Sequence, residues 1–193
     1  MIMEKWQNRK TTRLPGYDYS TEGAYFLTLC TENRQCLLSR IVGTGVLDGP
    51  CTHNPSLVGT GVLDGPKIQL LPFGEIAEKY IKQLNDFYDH ITVDSYVIMP
   101  NHIHILLSVK DRGPSGRPVT NGPSGTPVPT VQNSVVARFV STLKRFCNKE
   151  YGKNIWQYRS YDHIIRDQRD FDRHLQYIHE NPFGWEKDEF YTP

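Results

Sequence analysis

The sequence has little cysteine, no long hydrophobic run and almost no net charge. Its four cysteines, Cys30, Cys36, Cys51 and Cys147, show neither CxxC spacing nor a dense framework, which argues against a zinc ribbon or a disulfide scaffold. No window approaches the roughly 18 uncharged apolar residues that a membrane span needs, and the N-terminus lacks the apolar stretch of a secretory signal. We therefore expect a cytoplasmic protein. The 22 basic and 21 acidic residues exclude a globally basic nucleic-acid binder but allow a local basic patch.

Two biased segments interrupt a chain whose 193 residues suffice for one domain with a hydrophobic core. The nonapeptide VGTGVLDGP occurs twice between residues 42 and 66, and a Pro/Gly/Ser/Thr-rich stretch that repeats GPSG runs from 112 to 130. Two copies are too few for a solenoid, and proline disfavours helices and interior strands. We interpret 42–66 and 112–130 as loop insertions in a single domain that spans 1–193.

The remaining sequence predicts strands and helices in the order β-α-β-β-α-β-α, from β-branched and aromatic runs and from apolar residues at three- and four-residue steps. The predicted bounds are 24–31, 92–99, 103–109 and 158–165 for the strands, and 74–90, 134–150 and 170–181 for the helices. The first six elements match the ferredoxin-like pattern. The predicted fold class is therefore α+β, a four-stranded antiparallel sheet with helices on one face, followed by a further C-terminal helix.

The first chemical candidate is the pair His102 and His104. In a strand, residues two apart point to the same face, so both imidazoles can reach one divalent ion while Ile103 is buried on the other side. The pair alone could equally be two histidines with satisfied hydrogen bonds on a sheet face.

The second candidate lies on the last predicted helix, where Tyr177 and Asn181 are four residues apart and share a face. The arrangement offers a phenol beside an amide that could ligate a metal ion. Alternatively, the tyrosine is a packing residue, and Asn181, which precedes Pro182, is a helix C-cap.

Several segments resemble one known family. The run YVIMPNHIHILL at 96–107 is similar to the HUH motif strand of single-strand DNA transposases that use one catalytic tyrosine. Further segments resemble the branch called REP-associated tyrosine transposases, or IS200-like transposases: RLPGYDYS at 13–20, GAYF at 23–26, WQ at 156–157, YDHIIR at 161–166 and YIHENP at 177–182. The resemblance covers nearly the whole chain except the two insertions.

This resemblance implies a set of roles. In that family the two HUH histidines bind Mg²⁺ or Mn²⁺, and they correspond to His102 and His104. The nucleophile opens a YIxxQ or YIxxN motif and corresponds to Tyr177. The amide that completes the metal site corresponds to Asn181, where the insertion-sequence transposases carry glutamine. The implied activity is cleavage and rejoining of single-stranded DNA through a 5′-phosphotyrosine.

DNA binding requires cations, and the stretch from Arg138 to His174 holds nine basic against five acidic residues. A short basic arm near the N-terminus adds to it. These residues could also be ordinary solvated positions, but together they supply a phosphate track, with Trp156 and nearby tyrosines available for base stacking. The predicted DNA-binding residues are Lys5, Arg9, Lys10, Arg13, Lys144, Arg145, Arg159 and Arg166.

The leading hypothesis is a metal-dependent transposase and endonuclease that acts on single-stranded, hairpin-forming DNA as a monomer or a homodimer. Tyr151, Tyr158 and Tyr161 compete with Tyr177 as the nucleophile, but only Tyr177 has an amide four residues later. Two other hypotheses stay open. One is a catalytically silent hairpin DNA-binding protein of the same fold, and the other is a plain metal-dependent hydrolase that uses the histidine pair alone.

Overall fold

The computed structural model describes residues 17–43, 65–110 and 134–192. Its strands are β1 (Gly23–Cys30), β2 (Ser39–Val42), β3 (Lys67–Leu70), β4 (Ile91–Ile98), β5 (His102–Val109) and β6 (Tyr161–Ile164), and its helices are α1 (Pro72–Phe87), α2 (Val135–Tyr151) and α3 (Gln168–Glu180). All seven predicted elements are present. The sequence did not predict β2 and β3, and β6 is shorter than expected. None of the described helices has the length and apolar character needed to cross a bilayer.

The main sheet has the strand order β4-β5-β1-β6, and every neighbouring pair is antiparallel. Strand β1 lies inside the sheet and pairs along its whole length with β5, from Gly23 opposite Val109 to Cys30 opposite His102. Counted along the chain, the four sheet strands take the order 2-3-1-4. This arrangement confirms the predicted ferredoxin-like α+β fold.

The unpredicted strands form a separate two-stranded antiparallel sheet, from Ser39 opposite Leu70 to Val42 opposite Lys67. The two strands immediately flank the repeat-rich segment, and Val42, which the repeat pattern places in the insertion, ends β2. Residues 44–64 and the segment 112–130 lie outside the described residues, so the loop interpretation stays a prediction there.

One face of the main sheet forms the larger core against α1 and α2. Alternate side chains of the two central strands point to this face, since side chains alternate along a strand. Leu27 and Leu29 of β1 and Ile105 of β5 pack there with Ile81 of α1 and Phe139 of α2. These two helices therefore share one face, as predicted.

The opposite face is covered by α3. Phe26, Met99 and Leu106 form a smaller cluster with Ile178 of that helix. The alternation that buries Ile103 and Ile105 against α1 and α2 points the side chains of His102 and His104 toward α3 instead. The two candidate segments of the sequence therefore meet on this face.

Capping interactions fix where α3 starts, and a second helical segment extends its end. The Asp167 side chain accepts a hydrogen bond from the backbone N–H of Asp170 at 2.8 Å, which is N-capping. The α-helix ends at Glu180, and the chain continues as a 3₁₀ helix, Asn181–Lys187. Pro182 stands at the start of this segment, where its missing N–H is tolerated. Asp188 follows this segment and lies beside the histidines of β5.

Candidate metal and nucleophile site

His102 and His104 open strand β5, and both side chains are almost fully buried, at 0% and 1% exposure. Their ring centroids lie 4.5 Å apart. Because the residues are two apart in a strand, the rings share one face of the sheet. The structure thus places the two imidazoles close enough to serve a single ion.

Asn101 fixes the protonation of the first imidazole. Its side-chain amide N–H₂ donates to the backbone carbonyl oxygen of Phe190 at 2.7 Å, which identifies the amide nitrogen. The amide oxygen must then accept from Nδ1 of His102 at 2.9 Å, since an amide oxygen cannot donate. Nδ1 of His102 therefore carries the proton, and Nε2 presents a lone pair.

The second imidazole also has a hydrogen-bond partner at Nδ1. Nδ1 of His104 lies 2.9 Å from Oγ1 of Thr28, which can accept the ring proton. The Nε2 atoms of both histidines are buried and have no hydrogen-bond partner among the described residues. Burial lowers the pKa of His102 well below its usual range and lowers the pKa of His104 to about 3. Both rings are therefore neutral at physiological pH, as metal-ligating histidines must be.

Tyr177 lies on the face of α3 that packs toward the sheet. Its ring centroid is 5.2 Å from that of His104 and 6.0 Å from that of Phe26. The phenolic hydroxyl donates a long hydrogen bond, 3.4 Å, to Oδ2 of Asp188. Burial, reinforced by the negative charge of Asp188, raises the pKa of the Tyr177 phenol above its usual range. The phenol is thus neutral in this structure.

Asn181 is the C-cap residue of α3, one turn after Tyr177, and its side chain is buried. The amide N–H₂ donates to Oδ2 of Asp188 at 2.9 Å. The amide oxygen, Oδ1, is buried without a hydrogen-bond partner among the described residues. Asn181 therefore combines both possibilities that the sequence left open, a helix C-cap position and an amide oxygen that no described group occupies.

Asp188 is the residue that sequence reasoning missed. One ligand atom from each of His102, His104 and Asp188 lies within 4.8 Å of the others. The carboxylate is half-buried, and this burial raises its pKa. No local pattern separates Asp188 from its acidic neighbours Glu186 and Glu189, since only its position after the 3₁₀ helix brings it here.

These residues fit a divalent cation. Two neutral imidazole nitrogens, an amide oxygen and a carboxylate oxygen are ligand types used for Mg²⁺, Mn²⁺ and related ions. Unpaired polar atoms in the interior are costly, and in the part of the chain described three such atoms are Nε2 of His102, Nε2 of His104 and Oδ1 of Asn181. His102, His104, Asn181 and Asp188 are the residues that could hold such an ion.

Aromatic rings surround the imidazoles. The ring of Phe26 stacks on His104 at 5.0 Å, the ring of Phe190 lies 4.7 Å from His102, and the ring of Trp185 lies 6.0 Å from His102. Apolar walls reduce the local dielectric constant, which strengthens charge interactions inside the site.

The predicted DNA-binding residues lie at several places in the fold. Arg159 and Arg166 are exposed on either side of β6, an edge strand of the main sheet. Arg145 is exposed on α2, which packs on the sheet face opposite α3. The Nζ atom of Lys144 donates to the backbone oxygen of Gln157 at 2.7 Å. The remaining four, Lys5, Arg9, Lys10 and Arg13, lie outside the described residues, and the whole set stays a prediction.

The other aromatic residues considered for base stacking or as the nucleophile differ in how exposed their side chains are. The expectation that Trp156 is available for base stacking is wrong, because its side chain is 2% exposed within the larger core. Tyr158 is 94% exposed and Tyr161 is half-exposed. The hydroxyl of Tyr151 donates to the backbone oxygen of Phe73. Of the four tyrosines weighed as nucleophile, Tyr177 is the one in ring contact with the histidine pair.

A second cluster of ionisable side chains ties the start of α3 to the sheet. Nε2 of His163 on β6 lies 2.9 Å from Oδ2 of Asp170, and Nδ1 of His174 donates to the backbone oxygen of Asp170 at 2.8 Å. The two imidazole rings stack with centroids 4.7 Å apart. This network anchors the helix that carries Tyr177.

Known proteins resemble this chain in sequence and in fold. No family model matches it. An uncharacterised protein of Haemophilus influenzae is 28% identical over 192 residues, which cover 96% of this chain and 94% of that protein. A REP-associated tyrosine transposase of Escherichia coli is 27% identical over 97 residues, which cover 49% of this chain and 47% of that protein.

Among solved structures, a REP-associated tyrosine transposase bound to a REP hairpin matches with a TM-score of 0.51 and 17% identity. The match covers 89% of this chain and 72% of that one, and it shows a shared fold. The named relative supports the resemblance that the motifs indicate: the chain is similar in sequence to REP-associated tyrosine transposases.

Proposed function

We propose that this protein is a metal-dependent transposase that cleaves and rejoins single-stranded, hairpin-forming DNA through a 5′-phosphotyrosine on Tyr177. The observation that carries the proposal is the position of the Tyr177 ring, 5.2 Å from the ring of His104 and beside the buried imidazole pair. The relative solved with a REP hairpin supports hairpin DNA as the class of substrate.

The metal ion would be Mg²⁺ or Mn²⁺, held by His102, His104 and Asn181. When bound, it would polarise the scissile phosphate and orient it for in-line attack. Asn101 and Thr28 would keep both imidazoles in the tautomer that presents Nε2 to an ion. The surrounding aromatic rings would keep competing water away from the phosphorus atom.

Tyr177 would supply the nucleophile. Its phenolic oxygen forms a bond to phosphorus while the bond from phosphorus to the 3′ oxygen breaks. The products are a 5′-phosphotyrosine and a free 3′-hydroxyl, so the proton lost by the phenol is balanced by the one gained on the 3′ oxygen. In the reverse direction a 3′-hydroxyl attacks the phosphotyrosine and restores the phenol. Strands are thus rejoined without ATP.

The test is recovery of a covalent adduct. Hairpin oligonucleotides with randomised single-stranded flanks and a label at the 3′ end are incubated with the protein and Mn²⁺ and then resolved under denaturing conditions. A 5′-phosphotyrosine leaves the labelled 3′ part of the DNA on the protein, so the wild type should carry label. Tyr177→Phe should carry none, and Tyr158→Phe, which changes a fully exposed tyrosine, should label like the wild type.

The outcomes also separate the competing functions. An adduct that persists in Tyr177→Phe would remove Tyr177 as the nucleophile. Hairpin binding by the wild type without any adduct would instead indicate a silent DNA-binding protein. Strand cleavage that continues in Tyr177→Phe without an adduct would indicate a plain metal-dependent hydrolase.

A further inference from the structure

We infer that Asp188 is a carboxylate ligand of the divalent ion at this site, in addition to the two imidazoles and the amide oxygen. The inference deepens the proposed function and rests on it for the presence of an ion. It concerns a residue outside the HUH pair and outside the YIxxN motif, and it changes the ligand set from all neutral to one that carries a negative charge.

The geometry places the carboxylate with the imidazoles. Asp188 is the acidic residue of the described chain whose ligand atom groups with those of His102 and His104 within 4.8 Å. Its Oδ2 atom also accepts from the Asn181 amide at 2.9 Å. The carboxylate is therefore in contact with one expected ligand and grouped with the other two.

The charge balance of the site favours a carboxylate ligand. Two neutral imidazoles and an amide would leave a dication without a compensating charge in a buried, aromatic-walled site. Placing an uncompensated charge in such surroundings is strongly unfavourable. The Asp188 carboxylate supplies one negative charge, with a ligand atom within 4.8 Å of those of both imidazoles. Two imidazoles with one carboxylate are a ligand set typical of divalent transition metals.

The fold holds one carboxylate oxygen in a backbone turn and turns the other toward the site residues. Oδ1 of Asp188 accepts from the backbone N–H of Phe190 at 2.7 Å, and the backbone N–H of Asp188 donates to the oxygen of Trp185 at 3.0 Å. These bonds fix the residue in its turn. Oδ2 faces the side chains of Asn181 and Tyr177 and is the candidate ligand atom.

Ion binding at Oδ2 would then compete with the hydrogen bonds that this oxygen now accepts. The Tyr177 hydroxyl would lose its long bond to the carboxylate, and the Asn181 amide N–H₂ would lose its acceptor. On this inference, Asp188 couples occupation of the metal site to release of the nucleophile.

The test is Mn²⁺ affinity in the absence of DNA, measured by isothermal titration calorimetry on the full chain. Asp188→Asn keeps an oxygen that can accept from Phe190 and removes the charge. We expect its Mn²⁺ affinity to fall by about tenfold or more. Glu189→Gln removes the neighbouring charge, which is not part of the ligand group. Because solvent and salt screen an exposed charge, the Mn²⁺ affinity of this variant should stay within about twofold of the wild type. Melting curves without metal report whether each variant folds.

Three results would overturn the inference. They are Mn²⁺ binding by folded Asp188→Asn at wild-type affinity, an equal loss of affinity in Glu189→Gln, or no Mn²⁺ binding by the wild type. If Asp188→Asn does not fold, the anomalous signal of Mn²⁺ in wild-type crystals decides instead. An ion within about 2.0–2.6 Å of an Asp188 oxygen supports the inference, and an ion on the imidazoles alone overturns it.

The adduct assay keeps this inference separate from the proposed function. If wild-type protein forms the adduct and Asp188→Asn binds Mn²⁺ normally, the inference fails and the function stands. If Mn²⁺ affinity depends on Asp188 but the wild type never forms an adduct, the function fails and the ligand assignment stands.

Discussion

Asn101→Ala tests how the site is held together. The Asn101 side chain is fully buried. It donates to the backbone oxygen of Phe190 at 2.7 Å and accepts from Nδ1 of His102 at 2.9 Å. It also donates to Oγ1 of Thr192 at 3.2 Å and to the backbone oxygen of Arg34 at 3.3 Å. One amide thus joins the first imidazole to the segment that carries Asp188.

The magnitude follows from the two buried bonds. Removing the amide leaves one buried donor and one buried acceptor unpaired, at about 1–3 kcal/mol each. We therefore expect the free energy of unfolding to fall by about 2–6 kcal/mol. Because Asn101 also fixes the tautomer of His102, Mn²⁺ affinity of the folded variant should fall by about 10- to 100-fold.

Urea unfolding and calorimetric Mn²⁺ titration measure the two effects. Gln176→Ala is the control, since it removes an exposed side-chain bond to Glu180 on α3 and should change stability by less than about 0.5 kcal/mol. An Asn101→Ala protein with wild-type stability and wild-type Mn²⁺ affinity would refute the reasoning.

Two further predictions concern packing and pH. Gly74→Ala should destabilise the protein although alanine favours helices, because the added Cβ would collide with the backbone oxygen of Leu38. Thermal melts measure the effect, and Gly184→Ala, whose added Cβ meets no heavy atom within 4 Å, is the control. A Gly74→Ala protein with a raised melting temperature would contradict the close packing. For metal-free protein, burial lowers the pKa of His104 to about 3 from 6.5, so the folded state binds fewer protons than the unfolded state between these values. Acidification from pH 7.5 to 5 should then destabilise the wild type more than His104→Gln, and equal losses of unfolding free energy would exclude this origin.

Local sequence patterns determined the strands of the main sheet, the three helices and the local placement of four site residues. Period-two alternation in β5 places His102 and His104 on the same face, and the four-residue step in α3 places Tyr177 and Asn181 on one side of a helix. The alternation of strand and helix segments was also enough to predict the ferredoxin-like sheet, because few topologies satisfy that order of elements.

Several features depended on contacts between distant parts of the chain. Pairing of β2 with β3 has no strong local signal, since each strand has only four residues. Trp156 was expected at the surface because a basic stretch surrounds it, but its isolated bridge to Thr31 brings it against the sheet. Burial of a single aromatic residue depends on what packs over it, and residues nearby in sequence do not show that.

The candidate site shows most clearly which features local sequence predicts and which depend on tertiary contacts. Periodicity specifies which side of an element a residue occupies, so it placed the two imidazoles on one face of a strand and the phenol beside the amide on a helix. The roles predicted for these residues came from the resemblance to a known family. The sequence did not identify Asp188, or the hydrogen bonds by which Asn101 holds Phe190 and His102 together. Those residues meet because the chain turns back after α3 across a sheet strand about 85 positions earlier. Only tertiary structure decides such a meeting, since its stabilisation comes from long-range packing and hydrogen bonding, which no local propensity encodes.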